Sequence, residues 1–440
     1  MNAVMDMAFS EDDRVIATGG GDQTCRVVDM ATQTTLAILV GHSASIKQVR
    51  FQPGSSHIIA TSSRDGTVRV WDTRCKGDDA PQHRMFYAVE NDVRVEQPST
   101  KLLYARPVNT IYDAHRAWSY DTSIGNSYAI RSNIAESRAG PVSITAMEFL
   151  PIGKEHFLLT GSEAEASVRL WDIRFLYSKN KATATPISAT KIPETHNSFR
   201  HYGVNSININ TDGSRFYTLC KDHTVYAYST AHLITGTAPE LSTSSRARPS
   251  VQRKVQEGLG PLYGFRHPQL HCTSFYTKSA IRPAKDGRSE MLAVGSNDQA
   301  ALLFPTDECY LPRSRALEST ASLSGHVEKH NEFGPPLLMR PPTLRRVSSS
   351  LTDSATSKND IMISNNGTPL VRGHAAEVNG LTWSHNGSLV TIGDDYLVRC
   401  WREGPAARRL RTGGEGQGRR WLSGWADVGK DYDQEDFDEV

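Results

Sequence analysis

The chain has few cysteines, almost no net charge and no long apolar run, and each shortage removes a class of protein. Its 440 residues include six cysteines: Cys25, Cys75, Cys220, Cys272, Cys309 and Cys400. None stands in a Cys-x-x-Cys pair or at zinc-like spacing from histidine, so no metal site is expected. Free thiols are expected, buried where the flanks are apolar and strand-like, as at Cys25, Cys220 and Cys400. No apolar stretch approaches the ~20 residues that a membrane-crossing helix requires. The N-terminus "MNAVMDMAFSEDD" has neither the basic start nor the small-residue cleavage site of a secretory signal. A soluble chain in a reducing intracellular compartment is therefore expected. Lys and Arg number 49 against 48 Asp and Glu, a formal charge of +1, which argues against gripping nucleic acid along the whole surface.

Catalytic signatures are missing as well. "GGGDQT" at 19–24 is not a phosphate loop of the form GxxxxGK[ST], and it reads as a tight turn between strands. There is no GxSxG elbow and no HExxH. The expectation is a chain that is not an enzyme, with no catalytic residue, no cofactor and no metal.

What the sequence does have is a phrase it repeats. "GHSASIKQVRFQPGSSHIIATSSRDGTVRVWD" (41–72) opens on Gly-His and closes on Trp-Asp, with short β-branched runs between turn residues. Further copies are "NAVMDMAFSEDDRVIATGGGDQTCRVVD", "VSITAMEFLPIGKEHFLLTGSEAEASVRLWDIR", "GVNSININTDGSRFYTLCKDHTVYAYS", "HCTSFYTKSAIRPAKDGRSEMLAVGSNDQAALLFPT" and "GHAAEVNGLTWSHNGSLVTIGDDYLVRCWR". A unit of about 40–45 residues with these ends resembles the WD repeat, one propeller blade per copy. The fold class is thus all-β, a WD-repeat β-propeller over 1–403 with six blades visible, at about 1–40, 41–75, 141–176, 201–232, 263–306 and 370–403. The first copy lacks its Gly-His. Either a blade is missing, or the ring closes with six, or an insert supplies the strands, since closure is what removes exposed edges.

The repeat residues carry structural roles. In WD repeats a histidine, a turn aspartate, a strand hydroxyl and the tryptophan share a hydrogen-bonded network. Here that predicts His42, Asp65, Ser62 or Ser63, and Trp71, with His374 and Trp401 in the last copy. Asp22, Asp222, Asp298 and Asp394 or Asp395 are read as turn residues, and Glu165 holds that place in the third copy. Inserts at 76–140, 230–262 and 307–369 read as long disordered loops on one rim, with a short helix near 131–138. "RRVSSS" at 345–350 makes Ser348 and Ser349 candidate phosphosites, where phosphate would add negative charge to a basic loop. The tail 404–440 runs from basic to acidic and reads as mostly disordered, with "ARRLRTG" the candidate for the last outer strand.

Two copies end in the same further residue: "IIATSSRDGTVRVWDTR" and "LLTGSEAEASVRLWDIR". Packing requires Trp-Asp but not an arginine two positions later. An arginine at the rim is suited to bidentate contact with a carboxylate on another protein. The pair of boxes, Trp71, Asp72, Arg74 and Trp171, Asp172, Arg174, resembles the tandem WDxR boxes of receptors that dock on the adaptor of cullin-4 RING ubiquitin ligases. With "GGGDQTCRVVD", "SIKQVRF", "RDGTVRVWDTRC", "CKDHTVYAYS" and "GSNDQAALLF" in order, the chain resembles the denticleless family.

The resemblance implies a non-catalytic substrate receptor in the nucleus. The boxes would dock on the ligase adaptor, itself a propeller protein. The other face would hold replication-licensing or cell-cycle proteins whose degron depends on the sliding clamp, giving indirect association with chromatin-bound clamp, for ubiquitination and degradation. No membrane and no direct nucleic-acid contact are expected. The family has seven blades, and this chain starts where the second would. The competing readings are a general WD-repeat scaffold in a chromatin or RNA-processing assembly, and direct nucleic-acid binding through basic loops at 246–254 and 340–346.

Overall fold

Each repeat offers three runs of about six residues, too short for stable helices and rich in Val, Ile, Thr and aromatics, so they pair as antiparallel strands. The computed structural model describes residues 3–75, 103–115, 141–175, 185–193, 202–235, 256–257, 260–285, 287–311, 361–370, 373–404 and 425–427. They form six sheets, three of five strands and three of four.

Blade 1 contains β1 (Val4–Phe9), β2 (Val15–Gly20), β3 (Thr24–Asp29), β4 (Thr35–Val40) and β8 (Leu103–Ala105). Blade 2 contains β5 (Ile46–Phe51), β6 (Ile58–Ser63), β7 (Val68–Asp72) and β9 (Asn109–Ile111). Blade 3 contains β10 (Ile144–Phe149), β11 (Phe157–Ser162), β12 (Val168–Asp172), β13 (Ser188–Ala189) and β17 (Gln256–Glu257). Blade 4 contains β14 (Val204–Ile209), β15 (Arg215–Cys220), β16 (Thr224–Ser229), β18 (Tyr263–Phe265) and β22 (Met362–Ser364). Blade 5 contains β19 (Ser279–Arg282), β20 (Met291–Val294), β21 (Leu302–Pro305) and β23 (Thr368–Pro369). Blade 6 contains β24 (Val378–Trp383), β25 (Leu389–Gly393), β26 (Val398–Glu403) and β27 (Trp425–Asp427).

The first strand of each blade is the inner one. β1, β5, β10, β14, β19 and β24 pack in that order around the ring. Apolar clusters between neighbouring blades hold them together; Leu159, Val168 and Leu170 of blade 3 bury against Val204, Ile207 and Phe216 of blade 4. Close packing requires small residues on the second strand. A Cβ added at Gly161 would stand 2.9 Å from the Val204 Cβ. At the ends of the arc this burial stops. Met7, Phe9 and Leu36 of blade 1, and Ile392, Leu397 and Val398 of blade 6, remain exposed. Among the described residues the propeller therefore has six blades, with apolar side chains on the first and last left exposed.

The inserts do more than the sequence suggested. Strand d of blade 2, β9, lies inside the expected insert 76–140, and β23 of blade 5 lies inside 307–369. Within each of the three inserts the chain first adds a strand parallel to the outer edge of the preceding blade. β8 joins β4, β17 joins β13, and β22 joins β18. It then turns within a few residues to become the outer strand of its own blade, β9, β18 and β23 respectively. The outer strand of blade 6 is β27, paired with β26, and not the "ARRLRTG" segment. That segment, the 131–138 helix, Ser348, Ser349, the loops at 246–254 and 340–346 and the acidic end of the tail lie outside the described residues.

An ion-pair network ties the inner strands of three blades. Arg50 on β5 donates through Nε to Glu148 on β10 at 2.9 Å and through Nη1 to Asp6 on β1 at 2.9 Å. Replacing Arg50 by Met is expected to leave two part-buried carboxylates facing each other, at a cost of about 2–3 kcal/mol. Thermal melting of Arg50→Met should show this; an unchanged melting temperature would contradict the bracing role.

Candidate functional site

The repeat histidines are explained by hydrogen bonding inside the blades. In blade 2, Trp71 Nε1 donates to Thr61 Oγ1 at 2.8 Å, and His42 Nε2 lies 2.7 Å from the same hydroxyl. His42 Nδ1 lies 3.0 Å from Asp65 Oδ2. Burial lowers the His42 pKa, against the pull of Asp65. The hydroxyl is Thr61, not the expected Ser62 or Ser63. Strand alternation turns Ser62 to the opposite side of the sheet, and Ser63 Oγ donates instead to the Ala44 and Ser45 carbonyls. Blade 6 repeats the chain through Trp401, Thr391, His374 and Asp395, at 3.0, 2.8 and 3.0 Å. Asp394 is not the partner; it accepts from Asn379.

Blade 3 has the same network with a histidine that sequence reading missed. His115 Nε2 lies 2.9 Å from Thr160 Oγ1, which accepts from Trp171 Nε1 at 2.9 Å. His115 falls in the segment taken for an insert, just after β9. Its Nδ1 is buried without a hydrogen-bond partner, because Glu165 turns to Ser167 Oγ instead. A signal for the hydroxyl was present: threonine is the fourth residue of β2, β6, β11 and β15 and recurs as Thr391 on β25.

These networks set an acid-stability prediction. Asp395 is lowered from 3.8 to about 2: burial opposes this, but hydrogen bonds from the Ala375 backbone N–H and from His374 outweigh it. A carboxylate with a depressed native pKa stabilises the fold above its unfolded value and loses that contribution as pH falls through its folded value. Between pH 4 and pH 2 the melting temperature of Asp395→Asn should therefore fall less steeply than that of the parent chain. Parallel curves would contradict it.

The two WDxR boxes end strand c of neighbouring blades, on one rim. Ile58 pairs with Asp72 and Phe157 with Asp172, so both boxes lie at the end of the ring where strand b begins. Asn109 on the outer strand of blade 2 donates to the Ile173 carbonyl inside the second box at 3.2 Å. Gln52 of blade 2 donates to the Glu155 carbonyl beside that box at 2.9 Å.

The arginines are not bare. Arg74 donates through Nε and Nη2 to the two Asp72 oxygens at 2.9 and 2.8 Å. Arg174 binds Asp172 in the same fork, at 3.0 and 2.7 Å. The guanidinium readily available to a partner, as sequence suggested, is corrected to an aspartate–arginine unit. A turn at the strand end brings residues two apart together, as the short 3-10 turn Ile173–Phe175 does in blade 3. The Arg74 hydrogen bond holds Asp72 below its usual pKa; at Asp172 burial pulls the other way and the Arg174 contacts prevail. Both arginine side chains remain more than half exposed, at 59% and 56%, so the remaining guanidinium N–H groups face solvent. Trp71 and Trp171 are wholly enclosed, which corrects their place among the adaptor-binding residues; Asp172 is buried too, so the surface of the boxes is made by Arg74 and Arg174, with Asp72 and Thr73 half-buried beside Arg74. Beside the second box Phe175 is 78% exposed, with the Arg174 guanidinium 5.4 Å from its ring centre.

Cys25, Cys220 and Cys272 are buried, Cys400 is half-buried, and Cys75 and Cys309 are exposed. Among the described residues no group of three His, Cys, Asp or Glu side chains is arranged to hold a metal ion, and no helix is long and apolar enough to cross a membrane.

Six such blades, three with a Trp–Thr–His network, define a WD-repeat β-propeller protein. The family "WD domain, G-beta repeat" matches residues 1–29, 33–72 and 367–402. The chain is 25% identical over 406 residues to "Cell division cycle protein cdt2" of Schizosaccharomyces pombe, covering 91% of this chain and 58% of that protein. It is 26% identical over 312 residues to "Denticleless protein homolog" of Homo sapiens, covering 71% of this chain and 35% of that one. The Xenopus tropicalis homolog is 28% identical over 236 residues, 53% of this chain and 29% of its own length. The chain thus spans less than two thirds of the length of these curated relatives. It is a WD-repeat protein that is similar to denticleless homologs over most of its length.

Proposed function

We propose that the chain is the non-catalytic substrate receptor of a cullin-4 RING ubiquitin ligase. It docks on the ligase adaptor through Asp72–Arg74 and Asp172–Arg174, and presents replication-licensing or cell-cycle proteins for ubiquitination in the nucleus. The observation that carries this reading is the pair of aspartate–arginine forks on one rim of adjacent blades, each presenting an exposed guanidinium held by its own aspartate. Repetition of the same fork on two blades gives a partner two bidentate contacts at fixed spacing. The name of one relative, "Cell division cycle protein cdt2", agrees with a role in the cell cycle.

The self-pairing of each arginine favours one rival, a general WD-repeat scaffold in which the forks only tidy the strand ends. Co-purification of the full chain with the purified adaptor separates the two. A stoichiometric complex is expected, and its absence would leave the scaffold reading.

A further inference from the structure

The face opposite the boxes carries a second feature. Residues 266–278 link the outer strand of blade 4 to the inner strand of blade 5. Phe275 lies under Lys221, whose Nζ is 3.1 Å from the ring centre. The Tyr276 ring lies 5.8 Å from Nζ of Lys47, which stands on β5 of blade 2. A loop of blade 5 therefore meets blade 2 across the ring axis. The loop is fastened where it crosses. Asn205 Nδ2 donates to the Ser274 carbonyl at 2.7 Å, the Tyr276 N–H donates to Ser274 Oγ at 3.0 Å, and Lys278 Nζ donates to the Asn205 carbonyl at 2.9 Å.

The charges around this loop are unbalanced. Among the described residues Lys47, Lys278 and the exposed Arg64 have no carboxylate within salt-bridge distance. Burial lowers the Lys47 pKa, and Arg64 beside it lowers it further. Lys278 is lowered to about 8, chiefly by burial, even though Asp6 opposes this. Meanwhile Tyr276 keeps 55% of its surface open to solvent. An exposed ring fixed beside unpaired cations suits a ligand with a carboxylate close to an aromatic or apolar side chain.

We propose that this platform, built from Tyr276, Phe275, Lys47, Arg64 and Lys221, binds an acidic peptide segment of a partner protein. Stacking rings and cations can also serve single-stranded nucleic acid. Glu163, close enough to Lys47 to act on its charge, and Glu377, held by Thr277 at 3.0 Å, stand on the same face; a peptide can set its few carboxylates over the cations and apolar residues near these two, whereas a backbone with a phosphate at every step cannot. That the peptide belongs to a ubiquitination substrate rests on the receptor reading; the platform itself does not.

The test uses the full chain and three fluorescent probes: a peptide with two aspartates beside one tyrosine, its lysine-for-aspartate counterpart, and oligouridine. Anisotropy should show the acidic peptide preferred over its counterpart by about tenfold, a preference that added salt reduces. Tyr276→Ala, and separately the pair Lys47→Glu with Arg64→Glu, should each weaken binding about fivefold to tenfold. Tyr276 and Arg64 are exposed, so Tyr276→Ala should leave the melting temperature near that of the parent chain; Lys47 is half-buried, and Arg64→Glu alone, weakening binding in the same direction at an unchanged melting temperature, controls for any loss of stability in the pair. Equal binding of the two peptides, binding unmoved by either variant, or tighter binding of oligouridine would overturn the proposal. Adaptor binding reads the opposite rim and should be the same in these variants. If the parent chain fails to bind adaptor yet prefers the acidic peptide, the receptor reading falls and the platform stands.

Discussion

Replacing Arg74 and Arg174 together by alanine is expected to abolish binding to the cullin-4 adaptor while leaving the melting temperature nearly unchanged. Losing one partner of a desolvated arginine–carboxylate contact costs on the order of 2–5 kcal/mol. Two such losses would take a micromolar complex beyond detection. The structure sharpens this. Removing either arginine also uncovers Asp72 or Asp172, which would then face the partner's own carboxylates. Fold stability should respond little, because both arginines are more than half exposed and the buried Asp172 keeps the backbone N–H of residue 174 as a donor. Lysine at both positions keeps the charge but loses the two-pronged geometry, so it should restore binding only in part. Adaptor recovered equally by the parent chain and the double alanine variant would remove the boxes from the interface.

Trp171→Ala should destabilise the propeller more than any other single change considered. Trp171 is wholly buried in a cluster with Ala60, Val68, Val70 and Ile111 of blade 2 and Ile144, Met147, Phe149 and Leu158 of its own blade. Truncating such a side chain costs about 3–5 kcal/mol, and the Thr160 hydroxyl loses its donor as well. Because the cluster joins two blades, melting should begin earlier and become less cooperative. A melting temperature within a degree or two of the parent chain would contradict this. Tyr228 holds the equivalent place in blade 4 and stacks on Phe216 with ring centres 5.1 Å apart. Indole is thus replaceable where another large ring fills the same volume, but alanine is not such a ring.

The inner three strands of every blade were legible because each has the length, β-branching and bounding turns of a strand. His42, His374 and their aspartates were legible because the Gly-His and turn positions recur at constant spacing. Apart from the six-residue β4, the outer strands were not. β13, β17 and β23 have two residues each, and β8, β9, β18, β22 and β27 have three, too few to show any alternation. His115 was lost with them, since it follows an outer strand that could not be seen. The choice of Thr61 over Ser62 depends on which face of the sheet each residue takes, which the spelling "TSS" leaves open. The forks were hidden for a different reason: WDxR fixes that an arginine is present, while its rotamer decides whether the nearer aspartate or a distant partner receives it.

The three strands that double back onto a preceding blade change what insertion means in this protein. Each excursion leaves from one blade and lands beside the outer strand of the same blade, after clasping its neighbour. Both feet are therefore anchored by strand pairing, which fixes the two ends of whatever length of chain runs between them. The entropy of closing such a loop grows only with the logarithm of its length, about 0.6 kcal/mol per doubling. These three places can lengthen, shorten or acquire new recognition motifs with little effect on the barrel of strands beneath. Growth between the first two strands of a blade has no such hem: it would force apart a hairpin whose turn fixes the register of the inner strand.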